Sequence, residues 1–141
     1  MDIFEFKNMV WEYTRKIEEG ANTALYNIGS SHGLTGMQTI ILMELHRKGS
    51  SSIGNLADNV CTAGTNISTM CKKLEKQGFI ERKRDIEDER IVRINLTDKG
   101  HQAISEIDIY LTERISNNLP EECFDKIITS LETLYLLLKK I

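Results

Sequence analysis

A chain of 141 residues with 40% hydrophobic and 28% charged content, a single proline and 6% aromatics can bury one core and favours long helices over a β-sandwich. The formal net charge of −3 argues mildly against a nucleic-acid binder, yet between Lys72 and Arg84 six basic residues stand against two acidic ones, so the acidic surplus sits in the two ends. Cys61, Cys71 and Cys123 form no CxxC pair and point to reduced thiols in a cytoplasm, the start MDIFEFKNMV is not a signal peptide, and the apolar runs Ile40–Met43 and Leu134–Leu138 are too short to span a bilayer.

Asp2 to Ser30 reads as one long helix. Ile3, Phe6, Val10, Tyr13, Ile17, Ala24 and Ile28 recur at spacings of mostly three and four, and Phe4, Trp11, Ala21 and Leu25 widen the stripe. A stripe this broad on a lone N-terminal helix favours packing on a partner helix over a purely internal core. Ser30–Leu34 is a break. Thr35 and Gln38 then form a capping box, in which each side chain satisfies the other's backbone N–H. The helix it opens runs to about Arg47 and buries Ile40, Ile41, Met43 and Leu45. His46, Arg47, Lys48 and Gly49 end it with cations near the negative end of the dipole and a glycine near the cap.

Ser50–Ser52 offers an N-cap to a short helix, Ile53 to Val60, with Ile53, Leu56, Ala57 and Val60 on one side. After a turn around Cys61–Thr62, a second helix runs roughly from Ala63 to Gln77. Ile67, Met70, Cys71 and Leu74 are its inner stripe. Thr65, Asn66, Ser68, Thr69, Lys72, Lys73 and Lys76 lie opposite. Two short helices on a tight turn make a helix-turn-helix. Gly78 is a natural residue past the helix end. Phe79–Arg82 and Ile91–Leu96 read as two strands of a hairpin with a charged tip. Thr97 and Asp98 restart a helix that carries Ala103, Ile104, Ile107, Leu111 and Ile115 to about Asn117. Pro120, Glu121 and Glu122 open a last helix striped by Phe124, Ile127, Ile128, Leu131, Leu134, Tyr135, Leu138 and Ile141. The expectation is a mainly α chain with a small β-hairpin wing, folded as a single domain over 1–141.

A helix followed directly by a basic hairpin fits a DNA groove and its flank. The polar face of the second helix would reach base edges through Thr65, Asn66, Ser68 and Thr69; Asn66 suits adenine, and the threonines suit thymine methyls or phosphate. Lys72, Lys73 and Lys76 suit phosphates, which give affinity and salt dependence without sequence information. Ser52 and Thr62 complete the helix-side candidates. Arg82, Lys83 and Arg84 precede the wing tip and Arg90 follows it, and an arginine gains from the negative potential of a narrow minor groove. Asp85, Glu87, Asp88 and Glu89 crowd the same tip. Either some of them turn back onto Arg82–Arg84, or the wing binds weakly. Each of these faces would also be an ordinary solvated surface in a protein without a nucleic-acid partner.

Cys71 falls in the inner stripe. Cys61 and Cys123 are the redox candidates, the latter because a helix first turn lowers a thiol pKa. His32, His46 and His101 are widely spaced and make no ligand cluster, so neither metal nor cofactor is expected. No nucleophile stands with a base, and no catalytic motif occurs.

The ordered motifs resemble the MarR family of winged helix-turn-helix transcription regulators. Leu74-Glu75-Lys76-Gln77-Gly78-Phe79-Ile80, with Arg82 two residues on, looks like that family's recognition-helix end. Asp88-Glu89-Arg90 looks like its wing element, and Leu96-Thr97-Asp98-Lys99-Gly100 and Leu34-Thr35 with Gln38 look like two of its helix starts. The resemblance implies a homodimer with residues 1–30 and 101–141 as dimerisation helices and 35–100 as the DNA-binding lobe. It implies double-stranded DNA as partner, an operator with pseudo-palindromic halves, and no membrane. By resemblance Arg90 is the tip arginine and Asp88 the carboxylate that orients it. The family often answers to a small effector or oxidant, and by analogy Tyr13, Ile17, Ile40, Met43 and Ile107 would wall its site. The recognition helix here lacks the guanine-clamping arginine of many members. The competing reading is a winged-helix module that docks another protein.

Overall fold

The computed structural model describes residues 1–60 and 64–141, without the side chain of Thr65. The elements run α1 (Ile3–Ser30), α2 (Gly36–Lys48), β1 (Ser51–Ser52), α3 (Ile53–Asn59), α4 (Gly64–Lys76), β2 (Ile80–Arg84), β3 (Val92–Leu96), α5 (Asp98–Asn118), a 3-10 turn (Glu121–Cys123) and α6 (Phe124–Leu138). They fall into two compact units, Met1–Ile107 and Asp108–Ile141, divided inside α5. No helix is long and apolar enough to cross a membrane among the described residues.

Local chemistry sets most boundaries. Asp2 caps α1, its Oδ1 accepting the Glu5 N–H at 2.8 Å. Gly33 ends the helix region in the left-handed conformation, with Leu34 N–H reaching the Gly29 carbonyl at 3.0 Å and Gly33 N–H reaching Ser30 at 3.1 Å. Both arms of the Thr35–Gln38 capping box are made, at 3.0 and 3.2 Å. Ser52 caps α3 by accepting the Asn55 N–H at 3.2 Å. The last helix starts later than its sequence suggests. Pro120 precedes a 3-10 turn, and α6 itself begins at Phe124.

One strand is absent from the sequence pattern. Ser51 and Ser52 pair antiparallel with Ile94 and Arg93, so the sheet has three strands in the order β1-β3-β2. Two polar residues carry no alternation, which is why β1 does not show in the sequence. The first hairpin strand also runs further than Arg82, through Arg84.

The core of the first unit is made of Leu34, Ile41, Leu42, Leu45, Leu56, Ile67, Cys71, Leu74, Phe79, Ile80, Ile94, Ile104 and Ile107, all buried. It excludes several expected members: Ile40, Met43, Ile53, Val60 and Met70 are only half-buried. The broad stripe of α1 behaves differently again. Gly29 is the only buried residue in that helix, while Ile3, Phe4, Trp11, Tyr13 and Ile17 are exposed. In the second unit α6 buries none of its residues, and Ile127, Ile128, Leu131 and Tyr135 are exposed.

Three elements converge at the end of α4. Gly78, at φ 83°, closes it in a Schellman turn: Phe79 N–H bonds the Leu74 carbonyl and Gly78 N–H the Glu75 carbonyl, both at 3.0 Å. Thr97 Oγ1 donates to the Gly78 carbonyl at 2.5 Å and accepts the Gly100 N–H at 3.1 Å, so one hydroxyl ties the turn to the start of α5. Gly100 is required by proximity, because a Cβ there would lie 2.1 Å from the Phe79 carbonyl oxygen. Gly78→Ala should cost about 1–2 kcal/mol of stability, the left-handed penalty of a residue with a Cβ. Gly100→Ala should cost about 1–3 kcal/mol through forced backbone displacement. Denaturant midpoints at unchanged slope check both; a wild-type midpoint for Gly100→Ala would show that the α5 start is free to slide.

Candidate nucleic-acid interface

α4 is held from behind by Ile67, Cys71 and Leu74, each fully buried, and α3 packs against it. That anchoring leaves Asn66, Thr69, Lys72, Lys73 and Lys76 exposed, with Ser68 half-buried between the two faces. The helix therefore presents amide, hydroxyl and ammonium groups toward solvent, on a backbone fixed by its apolar side. Thr62 and the redox candidate Cys61 lie outside the described residues, as does the side chain of Thr65. Ser52 spends its hydroxyl on the α3 cap and its backbone on β3.

The wing resolves the crowding of acids at its tip. Asp85 Oδ1 accepts the Glu87 N–H at 2.8 Å, and its Oδ2 accepts Arg93 Nε at 2.9 Å. Asp88 holds Arg90 three times: Oδ1 accepts both the backbone N–H and Nε at 3.0 Å, and Oδ2 accepts Nη2 at 3.1 Å. Arg84 Nη1 donates to the Glu89 carbonyl at 2.7 Å, and Asp85 N–H to the Ile91 carbonyl at 2.8 Å. Two of the four acids are thus built into the turn. They pair with Arg93 and Arg90, not with Arg82–Arg84. The Arg90 guanidinium is both oriented and 90% exposed. Arg93, which the sequence reading left out of the site, is found only through the register that sets it near Asp85. Ile86 is 100% exposed at the tip, within a charged loop that carries no apolar pattern.

The pKa shifts follow these bonds. The Arg93 guanidinium, then the Glu87 N–H, hold the Asp85 carboxyl below its ordinary value; Arg90, through side chain and then backbone, does the same for Asp88. Burial pushes the Cys71 thiol up to about 11, so it stays protonated at neutral pH.

The family model for the transcriptional regulator SarA/Rot matches residues 24–107. The chain belongs to the SarA/Rot family. SarZ from Staphylococcus haemolyticus is 33% identical over 69 residues, which are 49% of this chain and 47% of that one, so the chain spans about half the length of this relative. Reduced AbfR bound to DNA superposes with a TM-score of 0.78 at 23% identity, over 97% of this chain and 94% of that chain. A MarR family protein from Bacillus stearothermophilus gives a TM-score of 0.74 at 21% identity, over 99% and 98%. The fold of this SarA/Rot chain is thus that of the MarR proteins.

The candidate effector-site residues of this SarA/Rot chain lie on three helices. Tyr13 and Ile17 are exposed on α1, Ile40 and Met43 half-buried on α2, and Ile107 buried on α5. A cavity of about 410 Å³ in the first unit is lined by His32, Gln77, Phe79, Lys99, Gln102, Ala103 and Glu106. Glu106 stands 3.5 Å from His32, while His46 and His101 meet edge to face at 6.2 Å. No group of three or more metal-ligating side chains occurs among the described residues. Cys123 is half-buried in the 3-10 turn.

Because both wing carboxyls are depressed in the folded state, their contribution is present above the ordinary aspartate value of about 3.9 and fades as pH falls through the lower folded values. The Arg90 and Arg93 Nε–H resonances should therefore hold their positions down to about pH 4 and move toward exposed-arginine positions below it. Movement centred near pH 6 would assign the tip's order to another group.

Proposed function

We propose that this SarA/Rot protein is a sequence-specific DNA-binding repressor that grips a pseudo-palindromic operator as a homodimer. The observation that carries the reading is the oriented, exposed guanidinium of Arg90 in the same compact unit as the exposed polar face of α4. α4 would enter the major groove, with Asn66 and Thr69 toward base edges and Lys72 and Lys73 toward phosphates. Arg90 would enter the adjacent minor groove, with Arg84 at its edge. The outward apolar residues of α1 and α6 support a second copy as their cover, since large exposed apolar faces mark association surfaces. The site's chemistry is recognition, and we assign it no catalytic step. Its place of action is the cytoplasm, where the operator lies. An oxidant that released the operator would act through Cys61 or Cys123, because Cys71 is buried and protonated.

Selection of bound DNA from a random pool at moderate salt tests the reading directly, returning both half-site spacing and symmetry. The logarithm of the binding constant should fall with the logarithm of salt, by a slope of about −0.9 for each phosphate neutralised. Lys73→Ala should weaken all sequences alike and reduce that slope by about one, whereas Asn66→Ala should cost about 1–3 kcal/mol at one base position and relax specificity there. Arg90→Ala should weaken the operator without abolishing the selected half-site. Binding of a protein partner with little salt response, and no enriched DNA, would favour the docking module instead.

The homodimer is tested separately. A chain lacking Glu121–Ile141 should sediment as a monomer or fail to fold. A well-folded dimer after that deletion would remove α6 from the association surface.

A further inference from the structure

We propose that Arg82 is a strut between the wing and α4, acting in DNA binding by positioning Arg84 and Arg90 rather than by touching phosphate. The inference rests on the DNA-binding reading above. Arg82 sits mid-strand, and its cross-strand partner is Ile94, which is fully buried. Side chains alternate along a strand, so Arg82 shares the inner hairpin face with Ile80 and Ile94, while Lys83 lies on the other face. Its side chain is 26% exposed, against 66% for Lys83.

The guanidinium reaches α4 at two levels. Nη2 donates to the Ser68 carbonyl at 3.3 Å, and Nε lies 4.0 Å from Glu75 Oε2. Ser68 and Glu75 are seven residues apart, about two helical turns on one side of α4. One side chain from β2 therefore braces the recognition helix over that length. Nε is enclosed and makes no hydrogen bond, so the site does not optimise Arg82 for its own stability. A planar, permanently charged fork can serve a carbonyl and a carboxylate together; a lysine ammonium on a flexible stem does not hold that geometry. The rest of the wing is tied to the hairpin through its own bonds, from Arg84, Asp85 and Asp88. Arg82 joins this ordered tip to the helix that it works beside.

The test uses the full chain, a pool-selected operator, and the variants Arg82→Lys, Arg82→Met and Arg90→Ala, alone and combined. A strut predicts that both Arg82 variants weaken operator binding by about tenfold, equivalent to roughly 1.4 kcal/mol. It also predicts that Arg90→Ala costs clearly less in either Arg82 background than in the wild type, because the tip is no longer placed. Full rescue by lysine, with loss only in Arg82→Met and a salt slope reduced by about one, would make Arg82 a phosphate contact and overturn the proposal. So would strict additivity with Arg90→Ala.

A measurement without DNA keeps the two readings apart. Amide exchange at Asp85 and Ile91 should quicken in Arg82→Lys; unchanged exchange overturns the strut whatever the operator data show. A wild-type chain that enriches no DNA, with exchange quickened as expected, would instead overturn the DNA-binding reading. If the Arg82 variants do not fold, Glu75→Gln at the half-exposed partner decides. The strut predicts weaker operator binding and quicker wing exchange, whereas loss of one negative charge near DNA predicts tighter binding. Tighter binding with unchanged exchange overturns the proposal.

Discussion

The geometry of the first unit depends on how α4 is stopped at Gln77–Phe79. Gly78 reverses the chain in a conformation that a residue with a Cβ resists, and the reversal delivers β2 directly beneath the helix it has just left. The turn is then pinned from three directions. Thr97 holds the Gly78 carbonyl, Lys99 Nζ donates to the Gln77 carbonyl at 2.6 Å, and Gln38 Nε2 donates to Gln77 Oε1 at 3.2 Å. Gln77 Nε2 in turn donates to the Gly33 carbonyl at 3.3 Å. The α1–α2 break, α4, the wing and the start of α5 thus share one hydrogen-bonded corner. A displacement of any one of them is felt at the others, which would suit the proposed DNA reader, whose helix and wing must keep a fixed angle.

Much of this corner is legible in the sequence because its parts are local. A capping box, a glycine past a helix end and a Thr-Asp helix start each declare themselves within about four residues. The same is true of the inner stripe of α4, where three of four expected members are buried and only Met70 is not. What stays hidden depends on register. β1 is two serines with no pattern of their own. The Asp85–Arg93 pair spans the hairpin, and the Arg82–Ser68 bond joins a strand to a helix fourteen residues away in sequence. The outer helices illustrate a third case. Their stripes are legible as helical, but a stripe does not say which molecule covers it, and in the chain by itself α6 buries nothing.

The acidic average of the chain also loses its force at this level. A net charge of −3 describes the whole molecule, whereas phosphates near the wing would meet a local set in which Asp85 and Asp88 are each committed to an arginine. Exposed ion pairs contribute little to stability. Their value here is geometric. Glu87 and Glu89 remain exposed, so in the proposed complex they would oppose phosphate and limit affinity rather than orientation. In the proposed complex, the exposed Lys72, Lys73 and Lys76 on α4 would supply the compensating charge from the helix side.

Asp88 shows how one carboxylate can favour contact with a polyanion. Left alone, an exposed arginine carries many rotamers, and ordering it on binding costs conformational entropy. Asp88 removes much of that cost beforehand, because its Oδ1 fixes the Arg90 backbone N–H and Nε at once and its Oδ2 fixes Nη2. The guanidinium keeps donors beyond those two, so it stays competent to bind acceptors in a groove. The negative charge of Asp88 is repaid only if the groove's acceptors meet Arg90 where the turn already holds it. On the proposed reading, the same bond that lowers the cost of binding would narrow the DNA shapes that qualify, and a wing built this way would select for groove width before any base is read.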